Sequence, residues 1–444
     1  VDFVASRYSE SIATHSGELI YQGQSFSYAQ FSDDIHARKK QILDSGVPPQ
    51  SAIALISDYS YLALVTLFAL YEAGHICVPL VPDRESVLTE KIKAAGCTAV
   101  IDAKSEDKIH SLPDEVCGPR PEIYNALKGP GLVLFSSGTT GKPKGMLYDL
   151  DTFIQRVAIQ PAQRPIRTAL VLVFDHMGGL DALFSLLARG ATVVLDPVKN
   201  PVELAKAIQT YALNFISVSP SFLALMLAAS VDEHYNITSL KTVNYGAEPM
   251  PEALLKRVQD RWPTVQFRQT LGTSETGTVS IASDQQSTRF YAKSDDLRVV
   301  DGELWIRSRV GFLGYLNPEN GGLESGWFKT GDLVETFEDG AYRIIGRKQE
   351  VINVGGNKVI PTEIEALISE LPEVADVRVY GLPNPLLGHV VAADVHLQQD
   401  IPLSQLKSKI RTHILSKTEA FKVPTKVTLV EQHDLGARFK KKRI

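Results

Sequence analysis

Between Thr168 and Thr270 short apolar runs alternate with amphipathic ones, and this alternation constrains the fold more than any other feature of the chain. TALVLVF, ATVVL, NFISVS, KTVNY and VQFRQT read as strands; DALFSLLARG, VELAKAIQTYA, SFLALMLAAS and PEALLKRVQDRW read as helices. Strands that are short and apolar on both faces, each followed by a helix, predict a mostly parallel sheet covered by helices. The first third is mixed, with helices expected over YAQFSDDIHARKKQILDSG and YLALVTLFALYEAG, each ending in a glycine suited to a helix C-terminus. The reading is an α/β body over residues 1–345. After Gly346 the texture changes to helix PTEIEALISEL, strands VADVRVYG and HVVAADVHL, helix LSQLKSKIRTHILSK and strand KVTLVE, a small α+β unit over residues 346–444.

Length and composition narrow the class. At 444 residues, with 44% hydrophobic and 22% charged residues, the chain is a folded globular protein with ample core. Its longest apolar stretch, Tyr61 to Tyr71, is shorter than the roughly 20 residues of a bilayer-spanning helix, so no membrane span is expected. No secretory signal is visible at the start, and three widely spaced cysteines suggest neither a disulfide framework nor a metal site. A cytoplasmic protein is expected. The net charge of −5 argues against nucleic-acid binding by the body, although the last seven residues, RFKKKRI, carry five positive charges.

The chemistry concentrates in LVLFSSGTTGKPKGM, residues 132–146. Glycines let backbone N–H groups turn onto an anion, hydroxyls donate to phosphate oxygens, and lysines supply charge. This composition suits a triphosphate, but not as a Walker loop, because Pro143 rather than Ser or Thr follows Lys142. With SSGTTGKPKG the sequence closely resembles the adenylate-forming (ANL) superfamily of acyl- and aryl-CoA ligases, nonribosomal-peptide adenylation domains and luciferases, over essentially the whole chain. The resemblance implies a large N-terminal domain of helix-covered sheets, a small mobile C-terminal domain, and ATP phosphates held by Ser136, Ser137, Gly138, Thr139, Thr140 and Lys144.

Further blocks follow in the family's order. NYGAEPM, with Gly246, Ala247 and Glu248, lies where family members place adenine. QTLGTSETG resembles the aromatic-Gly-x-Thr-Glu block, which implies nucleotide contacts at Leu271 and Gly272, a catalytic contact from Thr273 to the α-phosphate or acid, and a Mg²⁺ ligand in Glu275, since that hard cation favours carboxylate oxygen. Leu271 replaces the usual tyrosine and Ser274 the usual threonine. GWFKTGDLVE implies a ribose-binding Asp332 assisted by Arg347. Gln349 takes the hinge position, normally Asp or Lys, and Gly355, Gly356 and Lys358 lie on the implied thiol-channel face. The family's terminal Gly-Lys-x-x-Arg block aligns best on Phe439 to Arg443, making Lys440 the catalytic lysine, with Lys441 and Lys442 as alternatives and Phe439 in place of glycine.

Attack of a carboxylate on the α-phosphorus joins two anions, so it needs charge neutralisation and alignment more than a base. The implied reaction is ATP- and Mg²⁺-dependent formation of an acyl-adenylate, followed by transfer to the thiol of CoA or of a carrier protein's phosphopantetheine. His176-Met177-Gly178-Gly179 resembles the His-x-Gly-Gly of the CoA ligases and leaves Asp175 one place early for the aspartate that reads an α-amino group. An aryl or fatty acid is therefore favoured, with pocket residues His176, Gly179, Leu180, Phe184, Tyr245 and Val279. A stand-alone amino-acid adenylation protein, a catalytically weakened nucleotide-binding scaffold, and nucleic-acid binding through the tail are the competing readings.

Overall fold

The computed structural model describes residues 4–103, 106–113, 116–137, 143–158, 165–198, 200–317 and 321–431. The chain divides into two compact units, one from Val1–Ile216, Gly272–Thr278 and Arg307–Phe328, the other from Ser217–Leu271, Val279–Ile306 and Lys329–Ile444.

The first unit is built on a seven-stranded sheet. Its middle strands, Ala52–Ile56, Ile76–Leu80, Ala99–Asp102 and Gly131–Ser137, pair in parallel, and antiparallel strands Glu106–Ser111, Pro143–Asp149 and Phe312–Tyr315 complete it. Helix Tyr61–Glu72 is the long apolar stretch of the sequence, and every residue from Ala63 to Glu72 is buried. Apolar all round, it serves as a core helix. Its one acid, Glu72, is paired with Lys39 at 3.4 Å. A second sheet joins strands Glu18–Tyr21, Gln24–Ser27, Arg167–Ala169 and Thr192–Val194.

A three-stranded sheet, Phe215–Val218, Thr242–Tyr245 and Gln266–Gln269, has its last two strands paired in parallel, with helices Pro220–Ala228 and Glu252–Arg261 between its strands. A six-stranded sheet follows, made of antiparallel pairs, and it includes Trp327–Thr336 and Tyr342–Arg347. The C-terminal part is a five-stranded sheet around the long hairpin Val374–Asn384 and Gly388–Leu397, packed by helices Pro361–Ser369 and Leu403–Leu415. Its apolar core is a cluster of its own, drawn wholly from residues 352–427.

The expected α/β architecture is present, with two differences of detail. The alternating run from Thr168 does not feed one sheet: its first two strands join Glu18–Tyr21 and its last three form a separate sheet. The strand expected over TALVLVF is confined to Arg167–Ala169, because its neighbour Thr192–Val194 is only three residues long and offers no further ladder partners. Among the described residues no helix is long and apolar enough to cross a membrane.

Candidate active site

The Gly-rich segment joins two strands of one hairpin. Gly131–Ser137 pairs antiparallel with Pro143–Asp149 in a register that sets Ser136 opposite Lys144 and Ser137 opposite Pro143. A strand therefore follows this loop, where a Walker loop is followed by a helix. Gly138, Thr139 and Thr140 lie outside the described residues, and Ser137 is described only through its backbone.

Lys144 leaves the hairpin toward a small group of buried polar side chains. Its Nζ stands 3.7 Å from the centre of the Tyr315 ring, a cation–π contact. Burial lowers its pKa below the ordinary lysine value, and the negative charge of Glu275 opposes that shift. The Tyr315 hydroxyl donates to Glu275 Oε1 at 2.7 Å. Burial, then the charge of Glu275 and this hydrogen bond, raise the Tyr315 pKa well above the ordinary tyrosine value, so the phenol remains a donor. Glu275 itself is 9% exposed.

The turn carrying Glu275 is held through its peptides. Tyr148 donates its hydroxyl to the Ser274 carbonyl at 2.8 Å and Ser308 donates to the Glu275 carbonyl at 2.7 Å. Thr276 Oγ1 accepts the Thr273 N–H at 3.1 Å, and the two threonine hydroxyls lie 3.2 Å apart. Thr273 is thus fixed within the same turn as Glu275. Gly272 has no space for a Cβ, which would sit 2.2 Å from the Gly277 carbonyl oxygen.

His176 caps helix Met177–Ala188, accepting the Gly178 N–H on Nδ1 at 3.2 Å. The helix therefore starts earlier than DALFSLLARG predicts, and the His-x-Gly-Gly run forms its first turn. A Cβ on Gly179 would lie 2.1 Å from the Val173 carbonyl oxygen and 2.7 Å from the Tyr59 hydroxyl, so glycine is required there. Leu180 and Phe184 are fully buried in the main core, Phe184 edge-on to Phe68 and Phe153. Asp175 is 5% exposed and pairs with Lys91 at 3.7 Å.

In the second unit, Gly246 follows the strand ending at Tyr245. A Cβ there would come within 2.3 Å of Thr270 Oγ1, and Ala247 adopts a left-handed φ of 72°. Such a backbone costs energy for a non-glycine residue and marks the turn as constrained by its surroundings. Glu248 accepts from Ser221 Oγ at 2.9 Å. Tyr245 is fully buried, Leu271 packs with Phe290, Leu304, Ile306 and Val334, and Val279 lies at the edge of that cluster.

Asp332 and Arg347 are register partners in adjacent antiparallel strands, with Arg347 Nε 2.9 Å from Asp332 Oδ1. The turn before Asp332 is braced by residues with no assigned role in the sequence reading: Glu303 accepts the Gly331 N–H at 3.1 Å and pairs with Lys348 at 3.0 Å, and Thr330 Oγ1 accepts the Asp332 N–H at 3.0 Å. Gln349 is exposed in a short 3-10 turn, and Gly355, Gly356 and Lys358 are exposed in the hairpin formed by Ile352–Val354 and Asn357–Val359. Lys440, Lys441 and Lys442 lie outside the described residues.

The AMP-binding enzyme family model matches residues 2–316, and that of the AMP-binding enzyme C-terminal domain matches residues 363–440. The chain belongs to the AMP-binding enzyme family. This AMP-binding enzyme is 26% identical to an indoleacetate–CoA ligase of Aromatoleum aromaticum, covering 96% of this chain and 94% of that protein. It is 25% identical to a 2-succinylbenzoate–CoA ligase of Bacillus cereus, covering 91% and 90%. Its match to the Arabidopsis thaliana protein 4-coumarate–CoA ligase-like 2, at 28% identity, spans 67% of this chain and 57% of that protein's length. The fold is shared with the amide bond synthetase McbA of Marinactinospora thermotolerans (TM-score 0.80, 22% identity, 98% of each chain). It is shared also with o-succinylbenzoate CoA synthetase of Bacillus subtilis in complex with its acyl-adenylate (TM-score 0.76, 19% identity, 98% of this chain and 96% of that one).

Proposed function

We propose that this AMP-binding enzyme activates an aryl or fatty acid with ATP, releasing pyrophosphate, and passes the acyl group to the thiol of CoA or of a carrier protein's phosphopantetheine. The observation that carries this reading is the grouping of Lys144, Tyr315 and Glu275 beside the hairpin that bears SSGTTGKPKG. A cation and a hard carboxylate, both drawn from water and fixed, suit a magnesium-bound triphosphate.

In the first step a carboxylate oxygen of the acid bonds to the α-phosphorus while the bond to the β-phosphate breaks. Ser136, Ser137, Gly138, Thr139, Thr140 and Lys144 take the phosphates, Thr273 orients the α-phosphate or the acid, and Lys440 bridges the two reacting anions. Magnesium is held by one or two carboxylates together with substrate phosphates. Glu275, fixed by Tyr315, fits that requirement; among the described residues no group of three or more His, Cys, Asp or Glu could hold a metal by itself. When bound, the ion neutralises phosphate charge. Gly246, Ala247, Glu248, Leu271 and Gly272 serve the adenine, and Asp332 with Arg347 serves the ribose, a carboxylate having two acceptor oxygens for two hydroxyls. In the second step the sulfur bonds to the acyl carbon, AMP leaves with the shared oxygen, and the thiol proton passes to solvent.

An acid without an α-amino group is supported by Asp175, whose charge is buried and already met by Lys91. We assign residues 1–345 to the nucleotide- and acid-binding domain and 346–444 to a mobile domain hinged at Gln349; the self-contained apolar core of residues 352–427 supports that division. Gly355, Gly356 and Lys358 then face the thiol. Cys77, Cys97 and Cys117 are unpaired, which supports a reducing, cytoplasmic setting. ATP–pyrophosphate exchange across aryl acids, fatty acids and amino acids, followed by thiolation with CoA or a holo-carrier, tests the reading. Exchange with an aryl or fatty acid is expected, and exchange confined to amino acids overturns it.

A further inference from the structure

Tyr148, Ser308, Asp181 and Arg156 all bond to the backbone of the turn that carries Glu275, and the reading above gives Asp181 and Arg156 no role. Asp181, on helix Met177–Ala188, is 3% exposed and accepts the Thr278 N–H on Oδ2 at 3.1 Å. Arg156, on helix Leu150–Ala158, donates to the Thr278 carbonyl at 3.0 Å and pairs with the other oxygen of Asp181. One ion pair therefore holds both polar groups of a single peptide residue. Thr278 stands just after Gly277, whose φ is +63° and whose Cβ position would lie 2.3 Å from Val310 Cγ1. Only glycine fits at that position, and it joins Thr278 directly to the turn that carries Glu275.

Side-chain ion pairs on the surface contribute little, but a buried carboxylate bonded to a backbone N–H and a guanidinium is restrained in position and direction. The link also joins two elements that adjoin proposed site residues: Arg156 lies on the helix directly after the Lys144 strand, and Asp181 on the helix capped by His176. We propose that Arg156 and Asp181 are positioning residues for the adenylation step, fixing the Thr273–Thr278 turn so that Glu275 and Thr273 meet the nucleotide in register with the acid. This rests on the acid-activating reading above.

The test uses the full chain and single-turnover pyrophosphate release with an acid that the exchange panel identifies. Asp181→Asn is isosteric but supplies one acceptor where two are needed. It is expected to lower the rate constant of adenylation about tenfold while KM for ATP stays within about twofold, the size of one charge-assisted hydrogen bond. Arg156→Met should give a similar loss, and the double variant Arg156→Met/Asp181→Ala should be no worse than Asp181→Ala alone, because both act on one peptide. Rates within about twofold of the wild type, multiplying losses in the double variant, or loss of AMP binding and of the cooperative thermal transition in Asp181→Asn would each overturn the proposal. If the wild-type chain exchanges pyrophosphate with no acid, the acid-activating reading falls and the positioning role with it; an active wild type with indifferent variants sinks only the positioning role.

Discussion

Glu275 and Asp332 are carboxylates of nearly equal burial, 9% and 7% exposed, held in opposite ways. Glu275 accepts a hydrogen bond from the neutral phenol of Tyr315, whereas Asp332 is bonded to the guanidinium of Arg347. A neutral donor orients a carboxylate and leaves its full charge available; a cationic donor orients it and cancels much of the charge. The first arrangement suits a divalent cation, the second suits neutral sugar hydroxyls. Burial alone does not distinguish the two acids, and the identity of the partner does.

Removing the charge of Glu275 is the strongest way to break this contrast. Glu275→Gln keeps the shape and should slow single-turnover pyrophosphate release roughly a hundredfold, the scale of losing one electrostatic contact to a transition state. A smaller effect is expected at the other acid. Arg347→Met leaves Asp332 without its guanidinium and should raise KM for ATP about tenfold, read from steady-state kinetics, with little change in the magnesium requirement.

Tyr315→Phe sharpens the comparison by removing only the donor. The ring that carries Lys144 stays, so the magnesium concentration for half-maximal rate should rise about fivefold while KM for the acid is unchanged. The smallest expected effect is on alkaline stability. Tyr315 keeps its proton to higher pH in the folded protein than in the unfolded chain, whose tyrosines titrate near 10.0. Its contribution is therefore complete below that pH and declines as pH rises beyond it, because the unfolded state alone releases the proton. Urea unfolding at about pH 9 and about pH 11 should show a shallower alkaline loss for Tyr315→Phe than for the wild type.

Much of the protein was legible in the sequence. The apolar helix Tyr61–Glu72, the alternating strands and helices, and every regular element expected after Gly346 follow from local periodicity and from Gly and Pro punctuation. The aspartate of the TGD block was read together with Arg347, which is its register partner. The bracing of the Glu275 turn was not legible. Tyr148 meets Ser274 across 126 residues, Arg156 meets Thr278 across 122, and Asp181 meets the same residue across 97. No spacing rule links such pairs. Tyr315 ends the strand Phe312–Tyr315, and nothing in its sequence neighbours says that its hydroxyl serves Glu275.

The sequence by itself determined the family, the order of the elements and the residue types gathered for phosphate and carboxylate chemistry, because these depend on local propensity and on strings of adjacent residues. Only the tertiary structure decided how the alternating run divides between two sheets, which acid is met by a phenol and which by a guanidinium, and which side chains hold the Thr273–Thr278 turn in place. Those outcomes depend on which distant surfaces pack together, and a chain's local pattern does not encode which of its buried polar groups will become partners.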